Sequence, residues 1–268
     1  MIVSTKWGAV GLDSAGDGVP MLLLHGFPMD RSLWAPQLAA PIAGIRMIAP
    51  DLPGFGESHS TDVPSMDAWA DWTADLLDAL RLDRVILGGL SMGGYLCLSM
   101  WRRHPERVRA LVLADTRAGA DSEVARGKRR EMQQLVLTEG TGAVAEKMIP
   151  GLVGKTTRAS RPEVVGTLDA MMRRASVTGV HDALDALRTR PDSTPLLAGI
   201  NVPTLIVCGD EDVLTPPGES RAMHAAIPHS TLGIIPQAGH ASNIESGVAF
   251  NHLLSDFAKK TANLHSTS

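Results

Sequence analysis

Short apolar segments alternate with helical segments through most of the 268 residues, and this alternation leaves few folds open to the chain. The predicted strands are 6–13, 20–24, 45–49, 85–88, 111–114, 204–208 and 232–235, with an edge strand over 1–4. The predicted helices outside the middle of the chain are 32–40, 66–80, 93–104, 218–226 and 246–258. Such alternation is typical of a mostly parallel sheet with helices on both faces, so we expect a doubly wound α/β fold.

The strand pattern stops between Thr116 and Pro195, where the periods are helical. The predicted helices there are 122–139, 144–149, 163–176 and 179–189. Open α/β sheets bind ligands at the C-terminal ends of their strands. We therefore expect residues 118–195 to form a helical cap over those ends, inserted into a core made of 1–117 and 196–268. The polar residues 259–268 are expected to fray.

One turn between a predicted strand and a predicted helix carries the motif Gly89-Leu90-Ser91-Met92-Gly93. A serine on so sharp a turn is lifted clear of the sheet, and its hydroxyl points into a cleft. Glycine is needed two residues before and two residues after the serine, because side chains there would collide. The sequence therefore predicts that Ser91 is a nucleophile that forms an acyl-serine.

A serine nucleophile needs a base within hydrogen-bond reach, and the base needs a carboxylate that orients it. His240 follows the last predicted strand and is expected to be the base, because it emerges at the same edge of the sheet as Ser91. Asp212 follows the penultimate strand and gives the chain order serine, acid, histidine. Asp115, which ends the strand after the nucleophile, is an alternative acid, with loop capping as its other explanation.

Two backbone donors are expected to stabilise an oxyanion. The Met92 N–H lies at the start of the nucleophile helix, and the Phe27 N–H lies in the loop His25-Gly26-Phe27-Pro28. Pro28 has no N–H, whereas Gly26 allows a close approach of the backbone. His25 is expected to brace this loop by hydrogen bonding rather than to act as a base.

These motifs together resemble the α/β-hydrolase family over nearly the whole chain outside the cap. The segments that carry the resemblance are 25–28, 51–58, 89–93, Asp212 with the Thr-Pro-Pro after it, and Gly239-His240. Within that family the chain is similar to small bacterial carboxylesterases, the 3-oxoadipate enol-lactonase group and cofactor-free haloperoxidases. The resemblance implies the α/β-hydrolase fold and acyl-serine chemistry. A serine at position 91 argues against the members that use a carboxylate nucleophile.

Composition and charge exclude several other classes of function. The formal charge of −4 is spread along the chain without a basic stripe, which argues against nucleic-acid binding. Apolar runs are too short for a membrane span, and the first residues lack a signal-peptide pattern, so we expect a cytoplasmic protein. Cys97 and Cys208 are expected to be reduced and buried. Neither metal-ligand spacing nor a dinucleotide fingerprint is found, so no metal or cofactor is expected.

Substrate choice is expected to depend on the cap and on Phe27, Pro28, Met29 and Met92 at its rim. The cap carries twelve Lys and Arg against ten Asp and Glu, a net charge of +2 that could favour an anionic ester or lactone. The basic residues of segment 126–130 are nevertheless interpreted as a solvated helix face. Because aromatic residues make up 4% of the chain, few side chains could stack on a large ring, and we expect a small or medium acyl substrate.

Three functional hypotheses follow. The first is a serine carboxylic-ester hydrolase that uses Ser91, His240 and Asp212. The second is a lactone or carbon–carbon bond hydrolase with the same triad, which substrate profiling would distinguish from the first. The third is a non-catalytic small-molecule receptor on the same scaffold, which would bind tightly and turn over slowly.

Overall fold

The computed structural model describes residues 1–263 and contains an eight-stranded sheet. The strands are β1 (Ile2–Thr5), β2 (Gly8–Ala15), β3 (Val19–Leu24), β4 (Ile45–Pro50), β5 (Val85–Leu90), β6 (Val108–Ala114), β7 (Thr204–Gly209) and β8 (Ser230–Ile235). Their order across the sheet is β1-β2-β4-β3-β5-β6-β7-β8. The pairings of β2 with β1 and with β4 are antiparallel, and the others are parallel. The predicted mostly parallel α/β sheet is confirmed.

The first predicted strand is wrong at its start. The sequence predicts one strand over 6–13, whereas Lys6 and Trp7 form the turn between β1 and β2. The hydroxyl of Thr5 accepts a hydrogen bond from the Trp7 N–H at 3.1 Å and donates to the Gly8 carbonyl at 3.0 Å. These local bonds close the hairpin, so the strand boundary falls after Trp7.

The helices lie close to the predicted ranges. They are α1 (Ala35–Leu38), α2 (Met66–Ala79), α3 (Met92–Arg103), α4 (Glu123–Leu152), α5 (Lys155–Ser160), α6 (Pro162–Arg173), α7 (Val177–Thr189), α8 (Pro217–Ala226), α9 (Ser242–Glu245) and α10 (Gly247–Asn263). The predicted helix 32–40 is instead a 3-10 turn over Arg31–Trp34 followed by the short α1. No helix within residues 1–263 combines the length and the apolar character that crossing a membrane requires.

The last helix is longer than the sequence predicts. Residues 259–268 are expected to fray, but α10 continues to Asn263, and Thr261 is buried with its hydroxyl donating to the Phe257 carbonyl at 2.9 Å. Packing of this buried face against the core therefore extends the helix through 259–263. The remainder of that prediction, 264–268, lies outside the described residues.

Both faces of the sheet are covered, which explains why its strands are continuous apolar runs. Along β5, Leu87 contributes to the core on one face and Ile86 to the core on the other. The first core includes Trp69 and Trp72 of α2, and the second includes Trp34 beside α1. All three tryptophans are buried. Packing on both faces thus holds the sheet in place, and the residues that follow the C-terminal ends of its strands are available to form a site.

Helices α4 to α7 all lie between β6 and β7, where the cap is predicted. Gly140 interrupts α4 with a φ of 78°, which matches the predicted break between 139 and 144. Helix α5 was not predicted, because its six residues lie between Gly154 and Pro162, which favour a loop. The cap boundaries at 118 and 195 stay a prediction.

Candidate active site

The turn between β5 and α3 places Ser91 at the C-terminal edge of the sheet. Ser91 has φ 54° and ψ −109°, a backbone conformation that is strained for a residue with a side chain. A Cβ on Gly89 would lie 2.2 Å from the carbonyl atoms of Gly93, and a Cβ on Gly93 would lie 2.2 Å from the Leu24 carbonyl oxygen. The collision that the sequence predicts at both glycines is therefore present.

Replacing Gly89 with alanine is expected to destabilise the fold by about 1–3 kcal/mol or more, because the new methyl group would overlap backbone atoms that cannot rotate away. Thermal unfolding of the purified variant measures this effect. Gly127→Ala is the matched control, since a Cβ there meets open space on α4 and should stabilise the helix by about 0.5–1 kcal/mol. Equal unfolding temperatures for both variants would contradict the steric explanation.

His240 and Asp212 lie in line with the serine. The Ser91 hydroxyl is 2.7 Å from Nε2 of His240, and Nδ1 of His240 is 2.8 Å from Oδ2 of Asp212. Oδ1 of Asp212 accepts hydrogen bonds from the N–H groups of Leu214 and Thr215 at 2.8 and 2.9 Å. The Thr215 hydroxyl donates to Oδ2 at 2.7 Å. The turn after β7 therefore fixes the carboxylate, and the carboxylate fixes the imidazole.

Each of the three acids after β7 has a different partner. Asp212 alone reaches the histidine. Oδ1 of Asp210 accepts from the Gln237 N–H at 2.7 Å, on the neighbouring loop. Glu211 points to the cap, where it accepts hydrogen bonds from the N–H and the hydroxyl of Thr156. Glu211 is therefore turned away from the base.

The electrostatics of this pair favour a charged histidine beside a charged carboxylate. Burial alone would lower the pKa of His240, but the charge and hydrogen bond of Asp212 outweigh it, and the pKa lies above the ordinary value of 6.5. Burial would raise the pKa of Asp212, but His240 and the bonds from Thr215 hold that pKa below its ordinary value. Asp212 is thus an anion that stabilises imidazolium.

The pH profile of hydrolysis should report this coupling. His240 must be neutral to accept a proton, so kcat/KM should rise with pH through the pKa of His240, at a midpoint above 6.5. In Asp212→Asn the stabilising charge is gone, so the midpoint should move to lower pH. Asp210→Asn is the control and should keep the wild-type midpoint, because the carboxylate of Asp210 accepts from the Gln237 N–H and does not contact His240. A midpoint that is the same in all three proteins would contradict the pairing.

Asp115, the alternative acid, has other partners. It is fully buried at the end of β6, where Oδ1 accepts from the Gly209 N–H at 2.9 Å and Oδ2 shares a hydrogen bond with the Ser242 hydroxyl. Burial, and then the negative charge of Asp212, raise the pKa of Asp115 well above its ordinary value. Asp115 therefore ties β6 to β7 and α9 through hydrogen bonds, as its capping explanation expects.

A metal at this position does not fit the donor groups. Ligand atoms of Asp115, Cys208 and Asp212 lie within 4.8 Å of one another. However, burial raises the pKa of both Asp115 and Cys208, and a metal ligand must be deprotonated. Both oxygens of Asp212 already accept hydrogen bonds. Cys97 and Cys208 are buried and free of disulfides, as predicted.

The predicted oxyanion donors lie beside the serine. Phe27 lines the same cavity as Ser91, and its N–H makes no hydrogen bond within residues 1–263. Met92 is the first residue of α3, where a helix leaves its N–H without an internal acceptor. His25 braces the Phe27 loop as expected: Nε2 accepts from the Leu52 N–H, and Nδ1 lies 2.9 Å from the Gly26 carbonyl.

A cavity of about 530 Å³ opens between this edge of the sheet and the cap. Its lining includes Phe27, Ser91, Tyr95, Met132, Leu184 and His240. The apolar part of the wall comes from both the core and the cap. Ser91 thus faces a space whose volume is typical of pockets for small or medium organic molecules.

The predicted rim is wrong at three of its four positions. Of Phe27, Pro28, Met29 and Met92, only Phe27 lines the cavity. Met29 and Met92 are buried in the hydrophobic core instead, with 1% and 0% of their surface exposed. Both residues follow strands that end at the site, but their side chains pack in the hydrophobic cores that cover the sheet.

The predicted solvated face of α4 is also wrong in part. Arg129 is half-buried, lines the cavity and bonds through Nε to the buried carboxylate of Asp121 at 3.2 Å. Lys128, which also lines the cavity, and Arg130 are exposed, as expected. Helical periodicity could not separate these positions, because it does not show which side of a cap helix faces a cavity.

Sequence reasoning missed the residues that join the cap to the base. The His240 N–H donates to the Leu152 carbonyl at the end of α4, at 2.9 Å. Glu245 is fully buried and accepts from the Gly154 N–H at 2.9 Å and from the Ala241 N–H at 3.2 Å. A glutamate in a short helix carries no sequence signal for such a contact. The cap is therefore hydrogen-bonded directly to the loop of the base.

Comparison with known proteins agrees with this geometry. A family model described as the alpha/beta hydrolase fold matches residues 19–247. Among solved structures, a malate-bound thermophilic esterase from Thermogutta terrifontis is 38% identical, with a TM-score of 0.93 over 98% of each chain. Among curated proteins, 2-hydroxymuconate semialdehyde hydrolase from Pseudomonas sp. (strain CF600) is 29% identical over 92% of this chain and 89% of that protein. The 3-oxoadipate enol-lactonase 2 of Acinetobacter baylyi is 28% identical over 91% of this chain and 90% of its own.

Proposed function

The chain belongs to the α/β-hydrolase family, and we propose that it is a serine carboxylic-ester hydrolase for small to medium acyl esters that works through an acyl-enzyme on Ser91. One observation carries the proposal: Ser91, His240 and Asp212 form a continuous hydrogen-bonded line that faces a cavity of about 530 Å³. The 38% identical esterase supports the same reaction class.

Acylation begins when Nε2 of His240 accepts the proton of the Ser91 hydroxyl while the oxygen attacks the ester carbonyl carbon. The carbonyl π electrons move to the oxygen, and the N–H groups of Phe27 and Met92 donate to this oxyanion. Asp212 stabilises the imidazolium through Nδ1. The oxyanion then collapses, the C–O bond to the alcohol breaks, and His240 gives its proton to the leaving alkoxide.

Deacylation repeats these steps with water as the nucleophile. His240 accepts a proton from water, and the hydroxide attacks the carbonyl carbon of the acyl-serine. The same two N–H groups hold the second oxyanion. Its collapse breaks the bond to Ser91, whose oxygen recovers a proton from His240, so the enzyme returns to its starting state with a carboxylic acid as product.

The proposal is tested by a chain-length series of p-nitrophenyl esters with the purified protein. We expect steady multiple turnover with a maximum at short or medium acyl chains, because the cavity limits acyl size. No turnover above the buffer rate for any chain length would contradict the proposal. Binding without multiple turnover would favour the receptor hypothesis instead.

A lactone or carbon–carbon bond hydrolase with the same triad is the second candidate. It is favoured by the 28% identity to an enol-lactonase and the 29% identity to a semialdehyde hydrolase. Lactones and vinylogous 1,5-diketones are offered to the same protein preparation. A kcat/KM for either class that exceeds the best ester would move the assignment to this candidate.

A further inference from the structure

A cluster of three arginines around one buried aspartate contributes two half-buried guanidinium groups to the cavity wall. The side chain of Asp121 is fully buried and pairs with Arg117, Arg129 and Arg190. Three positive groups share one negative group, so the cluster has a net charge of +2. Burial would raise the pKa of Asp121, but the charges of Arg129 and Arg190 outweigh it and keep the carboxylate ionised.

The guanidinium groups keep unused donors. Arg117 bonds to Asp121 through one Nη at 2.8 Å, and its buried Nε has no partner among the described residues. Arg129 bonds to Asp121 through Nε, and neither of its Nη groups makes a hydrogen bond within residues 1–263. Both arginines line the cavity. A guanidinium group matches the two oxygens of a carboxylate, so these free donors suit that ligand.

The cluster lies next to the nucleophile. Arg117 follows Thr116, whose hydroxyl donates to the Ser91 carbonyl at 2.9 Å. Arg190 stacks on the ring of Tyr95 at 4.1 Å, and Tyr95 lines the cavity one turn of α3 after Ser91.

The remaining charged side chains of the wall are two lysines and one glutamate. Lys128, Lys147 and Glu131 all line the cavity, so positive groups outnumber negative ones there. Lys128 and Lys147 make no salt bridge within the described residues. The cavity wall thus attracts anions towards Ser91.

We propose that Arg117 and Arg129 form a carboxylate-binding subsite, so that the preferred substrates are esters carrying a second, ionised carboxylate in the part that fills the cavity. This inference rests on the proposed ester hydrolysis at Ser91 and names its substrate class. The carboxylate would accept from the free guanidinium donors while the ester carbonyl lies against the oxyanion donors.

A matched pair of substrates isolates the contribution of the carboxylate. Ethyl hydrogen adipate and ethyl hexanoate have the same ester and the same spacer, and they differ in a terminal carboxylate against a methyl group. We expect the wild type to favour the adipate monoester in kcat/KM by a factor of about 10 or more. Acid release is followed in a pH-stat at fixed ionic strength.

Three variants each remove one positive charge, two from the cavity wall and one from the protein surface. Arg117→Gln and Arg129→Gln should each lower the ratio of the two kcat/KM values about 10-fold or more. Arg130→Gln removes the same charge from the exposed side of α4 and should leave the ratio as in wild type. A wild-type ratio at or below one, or a ratio that falls equally in all three variants, would overturn the subsite. Thermal unfolding of each variant verifies that it is folded.

Binding measurements test the carboxylate subsite independently of the proposed ester hydrolysis. Calorimetry with hexanoate and 1-hexanol, which differ in a carboxylate against a hydroxymethyl group, measures carboxylate recognition without any turnover. If neither ester is hydrolysed, the esterase proposal fails, yet tighter binding of hexanoate that is lost in Arg117→Gln would still support the subsite. Equal binding of hexanoate and 1-hexanol by the wild-type protein would overturn the subsite, whatever the esterase activity.

Discussion

Replacing Ser91 with alanine is expected to lower kcat by a factor on the order of 10⁴–10⁶, because the acyl-enzyme can no longer form. The oxyanion donors and the cavity remain, so a small residual rate above the buffer is expected. Steady-state hydrolysis of the best p-nitrophenyl ester measures the loss.

Ser99→Ala is the matched control for this substitution. Ser99 is also buried on α3, two turns beyond the nucleophile, and it does not line the cavity. We expect it to retain most of the wild-type kcat. Hydrolysis that survives in Ser91→Ala at the level of the Ser99 variant would show that another group is the nucleophile.

Replacing Asp212 with asparagine is expected to lower kcat by about 10⁴, because an amide at this position favours the wrong tautomer of His240. Asp115→Asn should cost far less, on the order of 10-fold or below. Burial and the charge of Asp212 raise the pKa of Asp115, which favours its protonated form, and an amide of the same shape can keep the bonds to Gly209 and Ser242. Steady-state kinetics of the two variants in parallel provide the measurement.

The comparison decides between the two candidate acids. A loss of about 10⁴ in Asp115→Asn with little change in Asp212→Asn would reassign the triad acid to Asp115. Comparable large losses in both variants, with both proteins folded by thermal unfolding, would mean that the buried pair acts as one unit. The distances favour Asp212, whose Oδ2 lies 2.8 Å from Nδ1 of His240.

The fold and the chain order of Ser91, Asp212 and His240 could be predicted because they depend on patterns that lie within short segments of the sequence. The glycines at 89 and 93 are required by collisions that involve only backbone atoms, so the turn is visible in the sequence. The order of Ser91, Asp212 and His240 follows from the strands that carry them. The predicted family resemblance is confirmed by the match over residues 19–247.

Contacts between the cap and the core could not be predicted, because they join residues far apart in the chain. Leu152 accepts from His240 through its carbonyl, which any residue type could do. Glu245 and Gly154 meet across 91 positions without a shared pattern. Arg129 has the spacing of a surface residue but pairs with a buried aspartate. Side-chain direction within the cap depends on where the cap lies, and the sequence does not give that position.

Hydrolysis through an acyl-serine requires that an acyl group be bound to Ser91 during turnover. The protein is mixed with excess p-nitrophenyl butyrate, quenched with acid within the first turnovers, digested and analysed by mass spectrometry. We predict one butyryl group on the peptide that contains Ser91, which disappears as the substrate is consumed. Turnover without this modification, or butyrylation of a different residue that rises and falls with turnover, would contradict the acyl-serine mechanism.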